Sequence, residues 1–110
     1  MAESRMREQL RALREAGDTT TFEGMDPDGP MPPMITPDRL IDCVIEGEEF
    51  IDRKMNAMKA HATQITVDGP FFALSNNNGN QIWASEPYRL VKGTPAPGPD
   101  GLEHDLFAGL

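Results

Sequence analysis

The stretch EEFIDRKMNAMKAHATQI, Glu48 to Ile65, is the strongest element in the chain, and its reading decides the fold. Ile51, Met55, Met58 and Ala62 recur at helical spacing and form one narrow apolar seam, which predicts a helix over about Glu48 to Ala62. Charge follows the helix dipole, with Glu48, Glu49 and Asp52 early and Lys54, Lys59 and His61 late. A seam of this kind needs a surface to lie on. The question is whether 110 residues can supply one.

The supply is thin. A free-standing domain of this length buries roughly 60 to 70% of its unfolded surface. Here only 38% of residues are hydrophobic and 6% aromatic. The ten glycines and ten prolines fall mostly in two blocks, Gly24 to Asp38 and Lys92 to Gly101. The chain therefore reads as a marginal small domain or as a piece that leans on something larger. In the second case an isolated chain would expose the Ile51, Met55 and Met58 seam and self-associate through it.

The remaining segments flank that helix. Ala2 to Glu15 reads as a helix with Met6, Leu10 and Leu13 on one stripe, Ser4 as N-cap and Gly17 as its stop. Arg5, Arg7, Arg11 and Arg14 alternate with Glu8 and Glu15 and read as a solvated face. Thr19 to Phe22 reads as extended or loop. The organisation expected is a helix and loop over 1–23, a Pro/Gly/Met connector over 24–38 and a C-terminal cap segment over 39–110. Five prolines forbid a helix in the connector, which is a linker or surface loop, or else a lid. Arg39 to Gly47 fits a buried strand better than a short helix. Ile65 to Val67 is a candidate short strand. Tyr88 to Val91 alternates as a strand that Pro87 would open. Leu106, Phe107 and Leu110 make an apolar end that should dock.

A net charge of −8 argues against nucleic acid and anionic membranes as partners. One cysteine, Cys43, excludes an internal disulfide and reads as an inert buried thiol. No apolar run approaches the roughly 18 residues of a spanning helix and no signal-peptide core follows Met1, so a cytoplasmic location is expected. Two histidines and one cysteine, far apart, do not make a zinc set. Nothing around Cys43, Ser75 or His61 builds a nucleophile–base pair, so no catalytic residue is assigned. His61 and Gln64 are helix-end caps or pocket groups. Asn76, Asn77, Asn78 and Asn80, with Gly79, suit a turn. Beside Phe71, Phe72 and Trp83 they equally suit a wall that holds sugar hydroxyls.

Asp52–Ile65 (DRKMNAMKAHATQI), Phe71–Asn77 (FFALSNN), Tyr88–Val91 (YRLV) and Asp105–Leu110 (DLFAGL) resemble the C-terminal third of one family. It is the actinobacterial branch of the PIG-L (LmbE-like) zinc N-deacetylases, and the opening REQLRALREAGD fits it too. The His-Ala-Thr-Gln run followed by Ser-Asn-Asn is closer to the mycothiol-biosynthesis deacetylases than to the mycothiol S-conjugate amidases. The resemblance implies an α/β fold, here the C-terminal fragment of a Rossmann-like enzyme with a few helices, short strands and long Pro/Gly loops. It implies zinc as cofactor and N-acetyl-glucosaminyl-inositol as substrate. It places Asn76 or Asn77 against a sugar or inositol hydroxyl. The family's Ala-His-Pro-Asp-Asp-Glu zinc motif is absent from this sequence, so no metal ligand is assigned and the chain is not expected to be catalytic alone. A fragment of the amidase, a small acidic interaction module and an independent small enzyme are the competing expectations.

Overall fold

A computed structural model describes residues 1–69, 72 and 83–110. Helix α1 (Glu3–Glu15) leads into 3-10 turns at Thr21–Gly24 and Asp38–Leu40. Strand β1 (Cys43–Glu46), a 3-10 turn (Glu48–Phe50), helix α2 (Ile51–Ala60) and strand β2 (Ser85–Tyr88) follow. The two strands pair antiparallel, Cys43 opposite Tyr88 and Glu46 opposite Ser85. The result is a small α/β unit. Its radius of gyration, 15.3 Å, exceeds the ~13 Å of a compact globule of about this length, in keeping with the thin core.

Helix α1 supplies three of the seven buried hydrophobic residues among those described. Met6, Leu10 and Leu13 are buried as their spacing predicts, and Leu13 packs with Met1, Phe22 and Trp83. The helix stops as expected. Gly17 takes φ +90°, its N–H bonds the Arg14 carbonyl, and the Asp18 N–H bonds the Leu13 carbonyl, a Schellman closure.

Its start differs from the expectation. Ala2, not Ser4, is the N-cap, and it has no side-chain bond to give. The free N–H groups are satisfied from a distance: Glu3 donates to the Thr36 carbonyl at 2.8 Å and Ser4 to the Asp38 carboxylate at 2.9 Å.

The arginines are not simply a solvated face. Arg7 donates to the Pro27 and Gly29 carbonyls at 2.7 and 2.8 Å, and to Glu3. Arg11 pairs with Asp28. Arg14 donates to the carbonyls of Asp18, Thr21 and Met25. Prolines leave a segment short of N–H donors, and guanidinium groups supply them. The Gly24–Asp38 block is thus fastened along α1 by its carbonyls. Thr19 to Phe22 is not extended. The Asp18 carboxylate gathers Thr20 and Thr21, and Phe22 and Glu23 turn left-handed at φ 54° and 56°. Such residues cost on the order of 1–3 kcal/mol each. Burying Phe22 against Leu13 offsets part of that cost.

Arg39 to Gly47 contains β1, as its β-branching favours. The second strand is displaced from the expectation: β2 ends at Tyr88 instead of starting there, and Pro87 lies inside it. Pro87 is tolerated because it faces Val44, whose N–H points the other way, to the Glu103 carbonyl at 2.9 Å. The ladder asks nothing of a residue at that position. Ile65 to Val67 is not a strand: Ile65 and Thr66 adopt no regular structure and Val67 enters a turn that the Gly69 N–H closes on the Thr66 carbonyl. The helix over 48–62 is present with a 3-10 first turn, and ends at His61. Met55 is buried and Ile51 and Met58 are half-buried, so most of the seam is covered within this chain, whereas Ala62 is exposed.

The tail docks, though not by its apolar end. Glu103 bridges to Cys43, donating to the Asp42 carbonyl and accepting from Val44, and its buried carboxylate accepts the Ala96 N–H at 2.6 Å. His104 places Nδ1 3.0 Å from the Val44 carbonyl and Nε2 2.7 Å from Asp100. Leu106, Phe107 and Leu110 are exposed. Polar clasps rather than apolar burial hold this segment.

Two outcomes follow from these clasps. Bonds from the Ser4 hydroxyl, then the Ser4 and Glu3 N–H groups, hold the Asp38 carboxyl below its usual range. Asp38→Ala should cost about 1 kcal/mol in urea unfolding near neutral pH. A depressed folded pKa contributes stability above the unfolded value, about 3.9, and loses it as pH falls through the folded value. Wild type and variant should therefore converge in acid, and a difference that persisted there would reject the cap. At His104, both ring nitrogens face acceptors, so the protonated ring satisfies both. The Asp100 bond, then the Val44 carbonyl, with the charges of Asp100 and Glu46, raise its pKa. Its contribution is full below the unfolded value, about 6.5, and is lost as pH rises through the folded one. NMR titration should show His104 inflecting above the ordinary value, and Asp100→Asn should bring it down.

Candidate functional site

The two site residues that the resemblance singles out, Asn76 and Asn77, lie outside the described residues, as do Asn78, Asn80, Phe71 and Ser75. The described residues on either side are core positions. Phe72 and Ala84 are buried, and Trp83 packs on Leu13.

Next to Trp83 is a cleft of about 320 Å³ between the start of α1 and the β1–β2 ribbon. Arg5, Val44, Lys54, Trp83, Glu86 and Tyr88 are among the residues that line it. Two elements, α2 and β2, meet in its polar wall. Lys54, from α2, donates to the Trp83 carbonyl at 2.7 Å and to Glu86 Oε1 at 2.5 Å. Glu86 and Tyr88 stand two apart on β2 and so share a face. The Tyr88 hydroxyl donates to Glu86 Oε2 at 2.7 Å. The bond from Lys54, then that from Tyr88, lowers the Glu86 pKa, and the same Glu86 bond raises that of Tyr88. At neutral pH Glu86 is therefore a carboxylate and Tyr88 a neutral phenol.

Sequence reasoning did not find this set. Lys54 and Glu86 are 32 residues apart, and the one local signal was the spacing of Glu86 and Tyr88 across a proline.

The other candidates separate. Cys43 is buried, and burial, then the charges of Glu103 and Asp105, pushes its thiol pKa up, which disfavours the nucleophilic thiolate. His104 is engaged at both ring nitrogens. His61 is exposed at the end of α2, where its carbonyl accepts the Gln64 and Ile65 N–H groups and its backbone N–H bonds Met58. Gln64 is exposed as well. Among the described residues no three His, Cys, Asp or Glu side chains are grouped to hold a metal ion.

Comparison with known proteins decides the affiliation. Over all 110 residues the chain is 76% identical to the 1D-myo-inositol 2-acetamido-2-deoxy-alpha-D-glucopyranoside deacetylase of Kribbella flavida. It is 63% identical, again over the whole chain, to the protein of that name from a Nocardioides species. It is 52% identical over 94% of its length to that of Acidothermus cellulolyticus. The chain is homologous to part of these deacetylases. It spans about a third of their length: 36, 37 and 35% respectively. No protein-family profile matches it, and no solved structure does. The resemblance read from His-Ala-Thr-Gln and Ser-Asn-Asn is thereby upheld at the level of these deacetylases.

Tyr88 is the single tyrosine of the chain, so its ionisation can be followed by absorbance without assignment. It should ionise above the ordinary value of about 10. Glu86→Gln, which removes the acceptor charge, should lower the midpoint. An unchanged midpoint would show that the Glu86–Tyr88 bond does not persist in solution.

Proposed function

We propose that this chain is the C-terminal, substrate-side portion of a zinc-dependent N-deacetylase of the PIG-L type. The reaction is hydrolysis of the acetamide of N-acetyl-glucosaminyl-inositol, in cytoplasmic mycothiol biosynthesis. The observation that carries this reading is 76% identity over the whole chain to a protein named for that deacetylation. No helix among the described residues is long and apolar enough to cross a membrane, which is compatible with that location.

The residues described do not fit a zinc site, because no three ligand-type side chains converge and the sequence has no Ala-His-Pro-Asp-Asp-Glu motif. No catalytic step is therefore routed through this chain. In this reading zinc and the general base belong to the part of such a protein that these 110 residues do not include. The chain's own work is binding. An asparagine amide both donates and accepts, so Asn76 or Asn77 can hold a vicinal hydroxyl pair without carrying charge. Asn78 and Asn80, beside Gly79, suit a turn by residue type and are assigned no ligand contact.

The test joins these 110 residues to the remainder of the Kribbella flavida deacetylase in place of its own counterpart. The chimera should release acetate from N-acetyl-glucosaminyl-inositol. Asn76→Ala or Asn77→Ala should weaken kcat/KM about two- to tenfold, the worth of one hydrogen bond of roughly 0.5–1.5 kcal/mol. The loss should appear in KM if ground and transition states share the bond. Zinc content should not change. Asn78→Ala and Asn80→Ala serve as controls. A folded, zinc-replete chimera indifferent to both Asn76 and Asn77 would remove them from the substrate wall, and an inactive one would count against the function itself.

A further inference from the structure

We infer that the cleft between α1 and the β1–β2 ribbon is a binding site for a polyhydroxylated ring, a sugar or a cyclitol, read by Lys54, Glu86 and Tyr88 beside Trp83. The inference deepens the proposed function and rests on it for the biological ligand. The binding chemistry stands on the cleft.

The argument is one of unspent hydrogen-bonding capacity. An ammonium has three donors, and Lys54 uses two, on the Trp83 carbonyl and Glu86. A carboxylate has about four acceptor positions, and Glu86 fills one on each oxygen, from Lys54 and from Tyr88. The Tyr88 hydroxyl donates to Glu86 and can still accept. The three groups thus brace one another in fixed positions and retain at least one donor and several acceptors. Arg5 lines the same cleft and makes no ion pair or hydrogen bond among the described residues, which adds guanidinium donors. A ring whose hydroxyls alternately donate and accept matches this wall.

The apolar part of the cleft fits the same ligand. Trp83, Pro87, Val44 and Tyr88 line it, and such surfaces pack against the C–H face of a saturated ring. The volume, about 320 Å³, lies at the lower end of small-molecule sites and admits one or two such rings. Lys54 is paired with Glu86, so these two charges offset one another in the wall.

The chain contains a single tryptophan, so its emission reports on the surroundings of Trp83, this cleft among them, and the cleft variants show whether the change arises there. The 110-residue chain would be titrated with myo-inositol and, separately, with methyl N-acetyl-glucosaminide. The expected result is a saturable change in the millimolar range with at least one of them, and the tighter of the two identifies the ring. Glu86→Gln and Tyr88→Phe should each weaken it about two- to tenfold. Asp100→Asn, in the tail clasp, should leave it unchanged. Tyr88→Phe removes one hydroxyl, so it keeps the test open if Glu86→Gln fails to fold by circular dichroism. No saturable change with either compound, or equal binding by wild type and both cleft variants, overturns the assignment. In the chimera Tyr88→Phe should raise KM and spare kcat. An active chimera whose KM ignores Tyr88 would leave the deacetylase function standing and reject the cleft, whereas binding by the chain with an inactive chimera would do the reverse.

Discussion

A segment rich in proline has too few N–H donors to satisfy all of its own backbone carbonyls, and the architecture of this chain depends on that deficit. Residues 24–38 carry five prolines and turn for donors to the arginines of α1. Arg7, Arg11 and Arg14 sit at i, i+4 and i+7 and meet the segment at Pro27, Gly29, Asp28 and Met25. Once the segment lies along the helix, its far end reaches the helix start, where Thr36 and Asp38 take up N–H groups that Ala2 cannot. The chain then enters β1 at a defined place beside α1.

From β1 the rest is ordered by backbone bonds on two edges. One edge holds β2, and the other holds Glu103. Pro87 is accommodated because the N–H groups of β1 alternate between these edges. The alternation of side chains along β2 brings Glu86 and Tyr88 to one face, within reach of Lys54 from α2. The cleft is thus a consequence of how the Pro-rich segment positions β1. Its polar wall comes from β2 and α2, and its other side from the first residues of α1.

Deacetylase relatives three times as long give this economy a context. Among the described residues the apolar core rests on Met6, Leu10 and Leu13 with Phe72 and Met55. Phe50, Val91 and Phe107 remain exposed. Much of the tertiary order comes from charge-assisted and carbonyl bonds instead, which hold segments in register without a large buried surface.

What was legible in the sequence was local or periodic. The stripe Met6, Leu10 and Leu13, the Gly17 stop, the β-branched run at β1 and the seam of α2 each follow from the 3.6-residue or two-residue period, or from one glycine's freedom. The deacetylase affiliation was legible from five short stretches, among which His-Ala-Thr-Gln and Ser-Asn-Asn were the specific part. The arrangement of the long-range polar groups was not. Ser4 was the natural cap by residue type, yet Asp38, 34 residues away, provides the carboxylate. The arginines looked solvated because most of their distant acceptors are backbone carbonyls, which no side-chain pattern reveals. Pro87 looked like a strand start because its tolerance depends on which way Val44 faces. Lys54, Glu86 and Tyr88 became a site only when α2 and β2 met. Periodicity determines which face of an element is apolar, because that is a property of adjacent residues. Which distant donor meets which acceptor is decided by the packed chain, because hydrogen bonds need positions in space that spacing along the sequence does not contain.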